Sequence, residues 1–186
     1  MPSSLDRTLV VRKLRPDEGD LYRDFLLRLD PQTRRDRFCS GVSDAYIHEH
    51  VGRVVASGAL LYGCFHDDDL CGAAELHSGG PAEAAFAVAR DCQDHGIGTA
   101  LLEAVVLAAR NRGHLVIRVT CLRTNEAMRR LAQKADARLI LSYDEAEGEI
   151  RTPAPTALSW LREAVVDALN RVICTLRRPL KAAQAA

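Results

Sequence analysis

The 186-residue chain lacks a surplus of either charge, since 25 Lys and Arg stand against 25 Asp and Glu. No strong overall field therefore draws nucleic acid. No apolar run approaches the roughly 18 residues of a membrane span. Met1-Pro2-Ser3-Ser4 has neither the basic start nor the apolar stretch of an export leader. The six cysteines, at 39, 64, 71, 92, 121 and 174, form no CxxC pair and no metal-ligand spacing. Without an export signal, reduced thiols in the cytoplasm are the default. Cys64 and Cys71, which could face each other across a hairpin, are read as small core residues. His48 and His50 lie two apart on a helical segment and so share no face, which argues against a metal pair and for exposed imidazoles. His66-Asp67-Asp68-Asp69 has too few ligands at too close a spacing for calcium. It reads as a hairpin turn instead, because Asp tolerates turn conformations.

What is present suits one domain with some residues left over. Hydrophobic residues make up 47% of the chain, ample for a core. Residues 8–14 are β-branched and apolar and predict a first strand. A helix follows near Asp17–Leu29, with Phe25, Leu26 and Leu29 as its stripe. Pro31 starts another. Arg34, Arg35 and Arg37 would give that helix a solvated face. Ser43 caps a third helix reaching Ser57, on the period of Ile47, Val51, Val54 and Val55. Strands are expected at Ala59–Phe65, Leu70–His77 and Glu83–Ala89, with Gly79-Gly80-Pro81 turning between the last two. A helix over Thr99–Arg112 is striped by Leu101, Leu102, Val105, Ala108 and Ala109. Gly113 sits where a C-cap glycine belongs. A strand at Leu115–Cys121, a helix from Thr124-Asn125 and a strand pair, Arg138–Tyr143 and Glu149–Thr152 joined through Gly148, complete the pattern. It describes an α/β chain, mixed in the α+β sense.

The order strand, tight turn, helix centres on Gln93-Asp94-His95-Gly96-Ile97-Gly98. A helix start leaves its first backbone N–H groups without partners and carries the positive end of the dipole. Gly96 and Gly98 let the backbone bend sharply and let an anion come close. Such a turn suits phosphate held by main-chain amides. A P-loop would need a Lys after Gly98, and a dinucleotide fingerprint would need a third glycine after the chain's first strand. A plain glycine-rich connection is the other account of these six residues.

Gln-x-x-Gly-x-Gly after a strand resembles the acetyl-coenzyme-A loop of the GNAT acetyltransferase superfamily. The resemblance covers about residues 8–152 and is best from Ala82 to Ala137. It implies the GNAT fold: a central mixed, mostly antiparallel sheet with helices on both faces, here with an extra C-terminal helix. Within the superfamily, Leu29-x-Pro31-x-x-Arg34-x-x-Arg37-Phe38 resembles a segment of bacterial protein-lysine acetyltransferases that lies near the acceptor side. Ala82-Glu83-Ala84-Ala85-Phe86-Ala87-Val88 resembles the strand that carries their glutamate general base.

By that likeness the coenzyme-binding set is Phe86, Ala87, Val88, Gln93, Asp94, His95, Gly96, Ile97, Gly98, Thr99, Asn125 and Met128. Amides 93 to 99 would hold the pyrophosphate, with His95 adding positive character. The main-chain N–H near Val88 would meet the thioester oxygen. Asn125, in Thr124-Asn125-x-x-Met128, would touch the pantetheine or phosphate arm, and Asn is also an ordinary helix N-cap. Glu83 is the candidate base. A protonated amine cannot attack, and an apolar wall beside Glu83 would raise its carboxyl toward neutrality. Three positions depart from the family pattern. Asp94 replaces a usual Gly, Ala132 stands where many members carry a Tyr general acid, and Asp136 replaces a glycine.

Residues 1–153 are read as the catalytic domain and 154–186 as a C-terminal amphipathic helix and frayed tail. The helix, residues 156–176, is striped by Leu158, Leu161, Val165, Ala168, Leu169, Val172 and Leu176, with Trp160 off the stripe. Its stripe is expected to pack on its own domain or on a second subunit, making a homodimer, in preference to a membrane. The activity implied is transfer from acetyl-CoA to a primary amine, either a protein lysine or a small molecule, with no metal and in the cytoplasm. A non-catalytic acyl-CoA-binding module is the rival account.

Overall fold

The computed structural model describes residues 9–66 and 69–184, with side chains as far as Val172. Its elements follow in the order β1 (Leu9–Lys13), α1 (Gly19–Leu27), α2 (Pro31–Phe38), α3 (Asp44–Ser57), β2 (Leu60–His66), β3 (Asp69–His77), β4 (Ala82–Val88), α4 (Ile97–Asn111), β5 (Val116–Leu122), α5 (Glu126–Lys134), β6 (Arg138–Leu141), β7 (Glu145–Arg151) and α6 (Ala157–Gln184). One sheet runs β1-β2-β3-β4-β5-β7-β6. Only β4 and β5 are parallel; every other neighbouring pair is antiparallel. The mixed, mostly antiparallel sheet expected from the sequence is the one found.

Two cores sit on the two faces. Leu101, Val105, Ala108 and Ala109 of α4 pack against Leu76, Ala84 and Ile117 on one face. Tyr22, Phe25 and Leu26 of α1 and Ile47, Val51 and Val54 of α3 pack against Leu61, Phe65, Ala73 and Ala87 on the other. β3 is buried on both faces from Leu70 to Leu76, so its sequence is a nearly continuous apolar run. Gly72 lets α4 lie close to that strand: a Cβ there would come within 2.7 Å of Ile97 Cγ2.

Three expectations need correction. The last hairpin turns at 142–144, and Gly148 lies inside β7, where a Cβ would come within 2.8 Å of Val119 Cγ2. Glycine there serves close packing and not a turn. The C-terminal helix continues to Gln184, past the frayed tail expected from Leu180. Among the described residues, its apolar stripe does not pack on the domain. The residues of α6 that meet the body are polar: Ser159 and Glu163 bond Asn111, Glu163 and Asp167 pair with Lys13, and Asn170 Nδ2 donates to the Val11 carbonyl. Leu158, Leu161, Val165, Leu169 and Val172 are exposed. The physical reason is spacing. Positions 159, 163, 167 and 170 form one helix face, and the apolar set falls opposite it.

The feature that positions the site is the join of β4 to β5. Their register covers only Ala82–Ala84 against Ile117–Val119. β4 continues beside β3 as far as Val88. From Ala85 onward the two parallel strands part, and a cleft opens between them.

Candidate active site

The cleft has a volume of about 350 Å³. It is floored by Phe86, Ala87 and Val88 of β4. Gln93, Asp94, Gly96, Ile97, Gly98 and Thr99 close one end, Asn125 and Met128 of α5 one wall, and Thr33, Asp36 and Arg37 of α2 the other. Eleven of the twelve residues that the sequence marked for coenzyme thus come together around one space. His95 is exposed and is not among the lining residues.

The turn into α4 is built from backbone. Gly96 takes φ +79°, a conformation that L side chains rarely adopt, and no side chain caps it. The first bond into the helix runs from the Ala100 N–H to the Gly96 carbonyl at 3.0 Å. The amides of Ile97, Gly98 and Thr99 therefore have no helical acceptor. The amide of Gln93 leaves the expected donor set, because it already donates to the Arg90 carbonyl at 3.3 Å. Asp94 takes φ +62° and is exposed. Asp136 likewise takes φ +51°. Both departures from glycine thus occupy left-handed positions, which Asp tolerates better than most residues.

A second open donor follows from the ladder. The Ala89 N–H donates to the Cys71 carbonyl at 2.9 Å. Bonded and non-bonded pairs alternate in antiparallel strands. Val88, opposite Gly72, therefore turns its N–H and C=O away from β3, toward the gap beside β5. Gln93 Nε2 donates to that carbonyl at 3.1 Å, which leaves the Val88 N–H open. Asn125 Oδ1 accepts the Met128 N–H at 2.9 Å as an N-cap. Ala132, where a tyrosine was sought, is buried.

Glu83 is not among the residues lining the cleft. It is exposed, not shielded by an apolar wall, and stands four residues before Ala87, about 13 Å along the strand. On the same sheet face the structure holds a carboxylate that sequence reasoning passed over. Glu75 of β3 is 1% exposed. The Tyr22 hydroxyl donates to it and Arg37 Nη2 sits against it as an ion pair. His50 Nε2 is 2.8 Å from Oε1 and His77 Nε2 is 2.7 Å from Oε2. Burial alone would raise the Glu75 carboxyl; the charge of Arg37 and the bonds from His50 and His77 hold it well below the usual carboxylate range. The bond to Glu75 in turn raises His77 above the ordinary imidazole value, against the opposing effect of burial. Burial and the Glu75 charge push the Tyr22 phenol well above its ordinary value. His50 and Arg37 were expected at the surface and are instead committed to this cluster. A lone carboxylate inside an apolar strand, Leu70-Cys71-Gly72-Ala73-Ala74-Glu75-Leu76, was the available signal.

Among the described residues no group of His, Cys, Asp and Glu could hold a metal ion. Cys39, Cys64, Cys71, Cys92 and Cys121 are free thiols. The turn at Asp67 and Asp68 and the side chains of Cys174, Leu176, Arg177, Arg178 and Lys181 lie outside the described residues. Among the described residues no helix is long and apolar enough to cross a membrane.

Residues 20–136 match the sequence pattern of the Acetyltransferase (GNAT) family. The chain belongs to the GNAT acetyltransferase family. The match takes in the cleft, from Thr33 on α2 to Lys134 on α5. Among curated proteins none matches this GNAT chain in sequence. Solved structures share the fold. The GNAT domain of S. lividans PAT superposes with TM-score 0.66 at 19% identity, covering 76% of this chain and 89% of that one. An N-acetyltransferase from Staphylococcus aureus Mu50 gives 0.59 at 14%, covering 77% and 98%. A phosphinothricin acetyltransferase from Sinorhizobium meliloti, solved with acetyl-CoA, gives 0.58 at 14%, covering 81% and 94%.

Proposed function

We propose that this GNAT enzyme transfers an acetyl group from acetyl-CoA to a primary amine by direct attack, with Glu83 as the base. The observation that carries it is the set of open amides at the start of α4, facing the gap where β4 leaves β5. Ile97, Gly98 and Thr99 would hold the pyrophosphate at the positive end of the helix. The Val88 N–H would stabilise the thioester oxyanion, the kind of donor whose loss costs a factor of about 10² to 10³ in rate. Phe86, Ala87 and Met128 would line the pantetheine arm, and the Asn125 amide nitrogen would be free to bond it. With Ala132 in the tyrosine position no side-chain acid meets the thiolate; a thiol of pKa near 8.5 leaves without one.

A protein lysine is the acceptor we propose. The Arg34–Phe38 segment and Glu83 support it, as does likeness in fold to the S. lividans PAT domain. A small-molecule amine is the alternative, decided by acetyl transfer to a lysine-peptide panel against an amine panel. We also propose a cytoplasmic location and a homodimer joined through the outward stripe of α6. Glu83→Gln tests the central claim. It should lower kcat by about 10²-fold or more while acetyl-CoA still raises the melting temperature. Full turnover by this variant removes Glu83 as base. A thermal shift with no transfer to either panel by the wild type would favour the non-catalytic acyl-CoA-binding module.

A further inference from the structure

The buried cluster around Glu75 has no part in coenzyme binding, yet it stands on the same sheet face as Glu83. β3 and β4 are antiparallel with His77 opposite Glu83, Glu75 opposite Ala85 and Ala73 opposite Ala87. Directly opposed side chains share a face, with Cβ atoms roughly 5 Å apart. Glu83, His77 and Glu75 therefore form a contiguous row. Its inner end reaches Arg37, which pairs with Glu75 and also lines the cleft. Its outer end is the facing pair His77 and Glu83, the His77 side chain being 37% exposed and Glu83 exposed.

The chemistry of the row is unequal. Glu75 is fully engaged: Tyr22 from α1, Arg37 from α2, His50 from α3 and His77 from its own strand all face it. Oε1 faces Tyr22, Arg37 and His50, and Oε2 faces His77, so its charge is already paired. Its bond to His77 Nε2 fixes the imidazole, since a ring nitrogen that donates to a carboxylate leaves the other nitrogen as the acceptor. The charged groups facing His77 are Glu75 on β3, Glu83 on β4 and Arg37 on α2. Two carboxylates and one guanidinium thus surround a ring whose Nδ1 is the open basic atom.

We propose that His77, held in one tautomer by Glu75, takes from Glu83 the proton that the acceptor amine gives up and passes it to solvent. Glu75 is a positioning residue in this relay, and the proposal rests on Glu83 being the base. The ammonium of the acceptor loses one proton to the Glu83 carboxylate, through water. Glu83 returns to its carboxylate form by giving that proton to His77 Nδ1. The neutral amine attacks the thioester carbon; the C–N bond forms and the C–S bond breaks. The second proton on nitrogen neutralises the departing thiolate. The imidazolium, paired with Glu75, releases its proton through its exposed edge.

Two measurements test it on the full-length chain. In 15N-histidine spectra, His77 should be the Nε2–H tautomer when neutral, and Glu83→Gln should lower its titration midpoint, because a facing negative charge is removed. A Nδ1–H tautomer, or a midpoint that ignores Glu83, overturns the relay. Asn can keep a hydrogen bond to Glu75 but cannot titrate. With the lysine-peptide panel as acceptor, His77→Asn should lower kcat at least about tenfold, within the general acid–base range. It should also delete the ionisation expected above pH ~6.5 in the wild-type kcat profile, with the acetyl-CoA thermal shift intact. A fall in kcat with that ionisation still present would mean a structural role and would overturn the relay. If Glu83→Gln keeps full turnover, the base assignment fails and the relay with it. If Glu83→Gln is inactive and His77→Asn is normal, the relay alone fails.

Discussion

Two sides of the cleft, the end closed by the α4 turn and the α2 wall, are made in opposite ways. The α4 side is backbone: open amides, a left-handed glycine and no capping side chain. The α2 side is side chain: a buried carboxylate gathered by residues from α1, α2, α3 and β3. The first is held ready because its donors lack partners, so an incoming anion replaces nothing. The second is held in place because its central carboxylate is already contacted from four elements. Binding therefore belongs to the unsatisfied wall, and fixed orientation to the satisfied one.

The sharpest way to break this contrast is to empty the satisfied wall. Glu75→Gln leaves the buried Arg37 without its counter-charge, and breaking one partner of a buried pair costs on the order of 3–5 kcal/mol. Urea unfolding at pH 7 should show that loss. The pH dependence gives a second signature. Glu75 has its folded pKa held below the unfolded value. Its stabilisation is thus complete above pH ~4.5 and lost as pH falls further. His77 is raised, so its contribution is full below pH ~6.5 and is lost as pH climbs through its folded value. Wild-type stability should therefore sag on both sides of this window. In Glu75→Gln the profile should be flatter. An unchanged urea midpoint would mean that the cluster contributes no net stability.

The unsatisfied wall should respond in the other currency, ligand binding. Gly96→Val places a β-branched residue at φ +79°, which costs about 1–2 kcal/mol by crowding Cβ against the carbonyl. Space is not the obstacle, since nothing lies within 4 Å of a Cβ there. Relief of the strain would turn the open amides away. Wild-type protein with acetyl-CoA at 100 times its dissociation constant should gain about 2.7 kcal/mol. Gly96→Val should stay folded and lose that thermal shift. A full shift would show that these amides are not the anchor.

The same contrast explains what could be read from the sequence. A backbone site is written as local spacing. Gln93, Gly96 and Gly98 sit within six residues after an apolar strand, so the phosphate turn was legible; the order of elements along the chain followed from strand and helix patterns, and the mixed sheet from the family resemblance. A side-chain site is written across the chain. Tyr22, Arg37, His50, Glu75 and His77 are scattered over 56 residues and meet only when α1, α2 and α3 pack on one sheet face. Arg37 looked like one of three surface arginines, yet only Arg35 of these is exposed. The parting of β4 from β5 was illegible for a related reason. Pairing partners are not local, and Phe86–Val88 reads the same paired or unpaired.

A smaller effect sharpens the α4 side. Asp94 combines an unfavourable left-handed φ of +62° with a negative charge beside the amide turn. Asp94→Gly should remove both. The backbone gain is below the 1–2 kcal/mol per residue of an ordinary side chain, because Asp tolerates that region; about 0.5 kcal/mol is expected. Acetyl-CoA affinity should rise severalfold at low salt and less at high salt, because screening weakens surface charge. A salt-independent gain would locate the effect in the backbone alone.

The least disturbance should come from α6, whose outward face touches neither wall. Its polar residues hold it to the body: Glu163 meets Lys13, Asn111 and Arg112, and Asp167 meets Lys13. A helix that spends its polar face inward leaves Leu158, Leu161, Val165, Leu169 and Val172 to water unless something covers them. Leu161→Glu should therefore change monomer stability by no more than about 0.5 kcal/mol, as for other surface substitutions. If two copies join through this stripe, the same substitution should shift sedimentation from dimer to monomer and leave kcat and the acetyl-CoA thermal shift unaltered. A protein that sediments as a monomer before substitution removes the proposed homodimer. One that stays dimeric after it places the interface elsewhere. Either result leaves the contrast between the two sides of the cleft intact, because no described residue of α6 lines the cleft.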